Sequence, residues 1–416
     1  EDFMPTIQTS RLCPYQCTFC SSGKLRGKIR AFSVDTVRQE IDYVADRYKE
    51  FPYKRIWITD ENFGILKRDT EIAKHLYDSK DKVGYPQGVK VYFDKRFQYN
   101  SREATKHLAD MESDGVTLAF QSLNKDTLKA IKRVNLNAEE IDEIIVWARK
   151  NNFPVSTQLI QGLPYETKES FMENIEFLIQ KRVNNLAIFQ CMLFKGAELN
   201  RESERVKNEF KTMWRPCYLP SYDDVNGDFI CEAEEIIVSN KWMSFDDYLA
   251  LNKIGFVCYL LTIAEYFIRV VDYLTENTDI NITQLFHDIM NPPEKDSIEA
   301  SYRKFLDDYD QERIEELSET YEEAKQKMEE SFRKAGNQVL EPSRLNVKFA
   351  SRLIYQEKWF AGVLWDNLEN KELKKDDKLI LQDLINISEL EWVNLREIHQ
   401  QKKLAVTGLT HKYLET

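Results

Sequence analysis

Short apolar runs alternate with amphipathic stretches through the first half of the chain, the pattern of βα units wound around a parallel sheet. The runs MPTIQTS, RIWITD, VKVYFD, VTLAFQS, VSTQLIQG and NLAIFQCMLF predict six strands. Between them, helical stretches are predicted over Val34–Tyr48, Asp69–Lys80, Ser101–Ser113, Asp126–Arg133, Ala138–Lys150 and Lys168–Lys181, with Ser33 as N-cap of the first. That count falls short of the eight strands of a closed α/β barrel.

After Leu199 the strand alternation stops. Arg201–Lys211 reads as a helix, and an irregular hairpin near 217–238 turns at Asn226-Gly227. Helices follow at Phe245–Asn252, Phe256–Leu274 and Thr283–Asn291. A charged stretch from Ser297 to Ala335, rich in i,i+4 ion pairs and stopped by Gly336, predicts an exposed helix packed by one stripe. Apolar heptads are not sustained there, which favours such a helix over a coiled coil. The aromatic-rich run NVKFASRLIYQEKWFAGVLWDNL is expected to pack on the core. Two domains result, 1–200 and 201–416, the second mostly helical.

Composition changes this picture little. The chain has 416 residues, 42% hydrophobic and 31% charged, the balance of a globular protein. No apolar run reaches a membrane span: IGFVCYLLTIAEYFI is interrupted by Glu265. With no signal peptide ahead of the first motif, the expected compartment is the cytoplasm. A net charge of −12 argues against general nucleic-acid binding. The chain opens at Glu1 and enters a strand-like run almost at once, so it is expected to be a trimmed piece of something longer.

The cysteines add chemistry. Three of seven fall within RLCPYQCTFC, as Cys13-x3-Cys17-x2-Cys20. At this composition such a cluster arises by chance with a probability of about 0.002. Zinc would want a fourth ligand and paired Cys or Cys/His spacings, and the nearest histidine in sequence is His75. A redox pair would use Cys17 and Cys20 and leave Cys13 unexplained. The third reading is an iron–sulfur cluster on three thiolates, with one iron open to a substrate or cofactor.

With Phe19 just before the last cysteine, the motif resembles the signature of the radical S-adenosylmethionine (radical SAM) enzymes. Further stretches match in order over Met4 to Leu199. TDENFG puts Asp60, Glu61 and Asn62 where the family often contacts the methionyl amine. FDKRFQYN ends the third strand with Asp94, Lys95 and Arg96, of which Arg96 is the candidate for a carboxylate. AFQS is similar to the family's fourth strand and places Gln121 and Ser122 near ribose and methionyl. QGLPYETKESF supplies Gly162, Pro164 and Glu166 for the turn against adenine, and FKGAEL closes the core. Leu12, Ala119 and Ala197 depart from the family's Gly, Gly and Thr.

The resemblance implies a partial (β/α)6 TIM-type barrel, with which the strand count agrees. It also implies a [4Fe–4S] cluster on Cys13, Cys17 and Cys20, S-adenosylmethionine on the fourth iron, and a 5′-deoxyadenosyl radical that abstracts hydrogen from substrate. A flavodoxin- or ferredoxin-type electron donor is implied as partner. The style of the core is most similar to the cobalamin-associated branch, often methyltransferases, although no D-x-H-x-x-G motif is present. Cobalamin would enter through a missing N-terminal segment or a partner. Cys217 and Cys231 resemble the start of an auxiliary-cluster extension, but only Cys258 follows, with Cys191 before, and buried packing is the simpler role for all four. A non-enzymatic metal or electron-transfer protein is the reading from another class.

Overall fold

The computed structural model describes residues 4–22, 28–109, 111–113, 115–183, 185–217, 222–334, 342–357, 359–391 and 406–414. The chain is an α/β protein with parallel strands and many helices, divided into two compact units: Glu1–Leu159 with Phe194–Arg201, and Ile160–Leu193 with Glu202–Thr416.

In the first unit four strands form one sheet in the order Thr6–Ile7, Arg55–Phe63, Gly88–Phe93 and Glu112–Ser113, all parallel. Val116–Gln121 pairs with Val155–Gln161, also parallel. Each predicted strand is present; Glu112–Ser113 is an addition, taken from the end of the predicted helix Ser101–Ser113, which runs instead over Tyr99–His107. Burial in Val116–Gln121 follows the two-residue period of a strand: Val116, Leu118 and Phe120 are core, whereas Thr117, Ala119 and Gln121 line a cavity. Helix Val34–Tyr48 starts and stops where predicted, with Ser33 Oγ accepting from the Thr36 amide. Ala138–Lys150 is likewise as predicted and opens with an Asn137–Glu140 capping box.

Two irregularities shape the rim. Between Ile58 and Phe63 the pairing with Gly88–Phe93 slips, and Asp60, Glu61 and Asn62 lie in the excess. A smaller slip between Leu118 and Gln121 leaves Gln121 at φ 69°. Bulges of this kind bend a strand and re-aim its side chains.

In the second unit, helix Lys168–Gln180 precedes strand Asn185–Gln190. The predicted helix Arg201–Lys211 is only Glu202–Lys207; Lys211–Pro216 is a strand, antiparallel to Ala233–Ser239. The hairpin is Tyr222–Val225 against Asp228–Cys231, turning at Asn226 (φ 57°) and Gly227 (φ 92°). Residues 218–221 of the predicted hairpin lie outside the described residues, as do Ala335 and Gly336.

One helix, Phe245–Thr262, runs through the predicted break, and the next is Ile268–Asn277. The polar residues at that point are buried with partners: Lys253 is ion-paired with Asp310 at 2.9 Å and Asn252 donates to the Tyr248 carbonyl. The charged stretch is two helices, Ala300–Glu315 and Tyr321–Lys334. The break between them is held by backbone bonds exchanged between Ser318 and Trp214, a partner distant in sequence.

Candidate active site

The cysteine loop is anchored at its root. Asp60 is buried, and its carboxylate accepts from the amides of Thr9 (2.6 Å) and Ser10 (3.0 Å) and from both of their hydroxyls (2.6 Å each). The Arg68 guanidinium bridges the carbonyls of Thr9 and Phe32. Farther along, the Thr18 amide donates to the Ile131 carbonyl and the Thr18 carbonyl accepts from the Leu199 amide. Leu12, just ahead of the first cysteine, stands at φ 75°, in the left-handed region that glycine adopts without strain.

Beyond these anchors Cys13, Cys17 and Cys20 line one cavity of about 270 Å³ together with Phe19, Glu61, Asn62 and Gln121. Asn62 Nδ2 donates to Cys13 Sγ at 3.1 Å, and Lys95 Nζ to Cys17 Sγ at 3.0 Å. Lys95 also sits over the Tyr15 ring, whose hydroxyl donates to Asp94. Arg133, 8% exposed, brings Nη1 to 3.8 Å from Cys17 Sγ while Nε is tied to Asn135. Burial raises the Cys13 thiol above its ordinary pKa, opposed by the Tyr15 amide and Asn62. Burial also disfavours the Arg133 cation, and the Cys17 sulfur is the first influence restoring it.

Among the described residues no three His, Cys, Asp or Glu side chains converge as a ready metal cage. The chemistry of the donor set fits a thiolate-held cluster nonetheless: three sulfurs share one loop and one cavity, with two cations and an amide donor around them. Among the described residues the buried Asn62 Oδ1 has no donor, leaving an acceptor beside the sulfurs for an ammonium or hydroxyl.

The other predicted residues are placed differently. Asp60 is spent on the loop anchor, and Ser122, buried, takes the Asn124 amide. Arg96 is exposed and outside the lining, because the turn that ties its amide to Asp94 Oδ2 sends Lys95 inward instead. Gly162, Pro164 and Glu166 belong to the second unit. There Gly162 is at φ 93° and its carbonyl accepts from Asn240, while buried Glu166 accepts from Ser170 and Asn174 at the start of helix Lys168–Gln180. Pro164 is buried in the same turn. Tyr15, Arg133 and Gln158 line the cavity without having been singled out. Only Arg133 had a signal, as the basic end of the helix after the fourth predicted strand. Cys191 and Cys258 are fully buried, with thiols pushed up to about 12 by desolvation, which suits packing.

A thiol loop at the rim of a parallel α/β unit, ringed by cations, defines a class of site before any comparison. Residues 7–178 match the family model of the Radical SAM superfamily, which makes this stretch of the chain a radical SAM domain. Over 322 residues it is 26% identical to the 2-(S-pantetheinyl)-carbapenam-3-carboxylate methyltransferase of Streptantibioticus cattleyicolor, covering 70% of this chain and 46% of that one. Over 221 residues it is 31% identical to the cobalamin-dependent radical SAM methyltransferase TokK of Streptomyces tokunonensis, covering 52% of this chain and 32% of that protein. The chain thus spans less than half the length of either relative. Among solved structures, the radical S-adenosylmethionine methyltransferase TsrM of Kitasatospora setae is similar with a TM-score of 0.43 and 14% identity, over 55% of this chain and 42% of that one. Among the described residues no helix is long and apolar enough to cross a membrane.

Proposed function

We propose that this chain is the catalytic portion of a radical SAM enzyme, with Cys13, Cys17 and Cys20 holding a [4Fe–4S] cluster in a partial (β/α)6 barrel of about residues 1–200 and a mainly helical domain after it. The observation that carries this reading is the single cavity shared by three thiols from one loop, with Asn62 and Lys95 donating directly to two of the sulfurs. When bound, the cluster and S-adenosylmethionine supply a 5′-deoxyadenosyl radical, generated by one electron from a flavodoxin- or ferredoxin-type donor. The chain's own residues bind and orient. Asn62 Oδ1 and Glu61 offer acceptors to the methionyl ammonium, and Arg133, the buried cation of the cavity, faces the carboxylate. Phe19 and Gln121 complete the wall against the nucleoside. Asp60 acts at one remove, holding the loop root so that the sulfurs do not wander.

A second reading is methyl transfer with cobalamin as further cofactor: both relatives are methyltransferases, and TokK is a cobalamin-dependent one. The test of the first is anaerobic reconstitution with iron and sulfide, reduction by dithionite, and assay of 5′-deoxyadenosine. About four irons per chain and release of 5′-deoxyadenosine are expected; zinc-loaded protein that leaves S-adenosylmethionine intact overturns it. Cobalt bound to protein made in the presence of cobalamin decides the second.

A further inference from the structure

The second unit contains a cavity of about 480 Å³, within the size range of small-molecule sites. One wall is apolar: Leu186, Ile188, Met192, Tyr259, Ile263 and Val347. Gly255, in helix Phe245–Thr262, faces Ile188, and a Cβ there would meet that side chain at 3.8 Å, an ordinary contact with no clash.

The polar lining is held in fixed orientation. Gln190 Nε2 donates to Gln161 Oε1 (3.2 Å) and Asn252 Oδ1 (3.0 Å). The nitrogens of Gln161 and Asn252 are both spent on the Tyr248 carbonyl. Flipping the Gln190 amide would set oxygen against two oxygens, so its Oε1 is held as an acceptor, and this buried atom has no donor among the described residues. Across the cavity, Arg215 gives Nε and Nη2 to Glu234 Oε2, and its Nη1 has no partner among the described residues. Asn346 accepts from Arg313 and Tyr309 through Oδ1, which fixes its Nδ2 as a second donor without a protein acceptor among the described residues.

The buried charges cancel. Arg215 is paired with Glu234 and Arg313 with Glu316, and Glu232, the other carboxylate of the lining, lies exposed to solvent, so an ionised group in the buried part of the cavity would be without a counter-charge. Apart from the Tyr259 hydroxyl and the exposed Glu232 carboxylate, what remains unmatched among the described residues is one acceptor and two donors held in place, the complement of an amide.

We propose that this cavity is a binding site for an uncharged, largely apolar small molecule bearing an amide, whose oxygen meets Arg215 and Asn346 and whose N–H meets Gln190. The inference stands apart from the cluster chemistry, because binding here needs neither iron nor S-adenosylmethionine.

Half-buried Cys217 lines the same cavity and serves as the reporter. Its alkylation by iodoacetamide in the full chain is followed by peptide mass spectrometry, with phenylbutyramide as probe. At about ten times its Kd the probe leaves about one site in eleven open, so alkylation slows about tenfold. Phenylbutyrate and phenylbutylamine, of the same shape but charged, protect less. Gly255→Leu fills the cavity without touching the Arg215–Glu234 pair, and abolishes the protection while keeping the wild-type thermal melt by circular dichroism. Should that variant not fold, Ile188→Phe fills the cavity from the opposite wall and is read in the same way. The proposal is overturned if phenylbutyramide leaves the wild-type rate unchanged, if either charged analogue protects as well as the amide, or if a folded filled variant is still protected.

Discussion

Lys95 Nζ stands 3.0 Å from Cys17 Sγ and 4.0 Å from the centre of the Tyr15 ring, so one cation serves a thiol and an aromatic face of the same loop. A positive charge at this position favours the more reduced, more negative state of any cluster on Cys17. Lys95→Met is expected to move the cluster midpoint to more negative potential, and Lys95→Arg to restore most of it. Solvent at half-exposed Lys95 limits the shift to roughly tens of millivolts, well under the ~4 kcal/mol of a bare pair at an effective dielectric of 20. Redox titration followed by electron paramagnetic resonance reads it; an unchanged potential in the Met variant refutes the electrostatic role.

Asp60 predicts a stability effect larger than its place on the rim suggests. It accepts four hydrogen bonds from two consecutive residues at the root of the cysteine loop. Asp60→Asn keeps the shape, but its NH2 must replace either Oδ1, which takes both amides, or Oδ2, which takes both hydroxyls, and the charge is lost from the remaining bonds, at a cost of about 2–4 kcal/mol. Urea denaturation measures the loss, and iron uptake on reconstitution should fall with it. A variant as stable as wild type would mean that the loop is held elsewhere.

Leu12 inverts the usual ranking of conservative changes. At φ 75° a β-branched side chain is more strained than leucine, whereas asparagine tolerates the left-handed region. Leu12→Val should therefore cost about 1–2 kcal/mol and Leu12→Asn less than about 0.5. The reverse order in urea melts would contradict the left-handed turn.

Asp69 carries a pH signature. Burial raises its pKa to about 6, against the opposing bonds from the Leu66 and Gly64 amides. The folded state therefore holds this proton more tightly than the unfolded chain, whose carboxyl titrates near 3.9. Its contribution to stability is full below pH ~4 and is lost as pH rises to about 6, by roughly 3 kcal/mol. Asp69→Asn keeps an oxygen for the two amides and removes the titration. The difference in stability between wild type and variant should change over pH 4–6 and be flat above; a flat difference throughout would show that the raised pKa is wrong.

What the sequence by itself determined is local or short in range. Helices Val34–Tyr48 and Ala138–Lys150 were legible to the residue because Ser33 and Asn137 cap them within one turn. The cysteine spacing exposed the thiol loop because eight residues contain its whole signal. Tertiary structure decided what depends on register and on distant partners. The slip between Ile58 and Phe63 sends Asn62 to a thiol and Asp60 to the loop root, though the two are separated by a single residue. One residue decides between Lys95 and Arg96, since the turn after Gly88–Phe93 ties the Arg96 amide to Asp94 and brings Lys95 Nζ to Cys17. The continuous helix Phe245–Thr262 exists because Lys253 finds Asp310, and the charged stretch breaks because Ser318 pairs with Trp214. Side chains and backbone groups that are far apart in sequence settle these choices. Their energies come from burial and from hydrogen bonds that no local window contains.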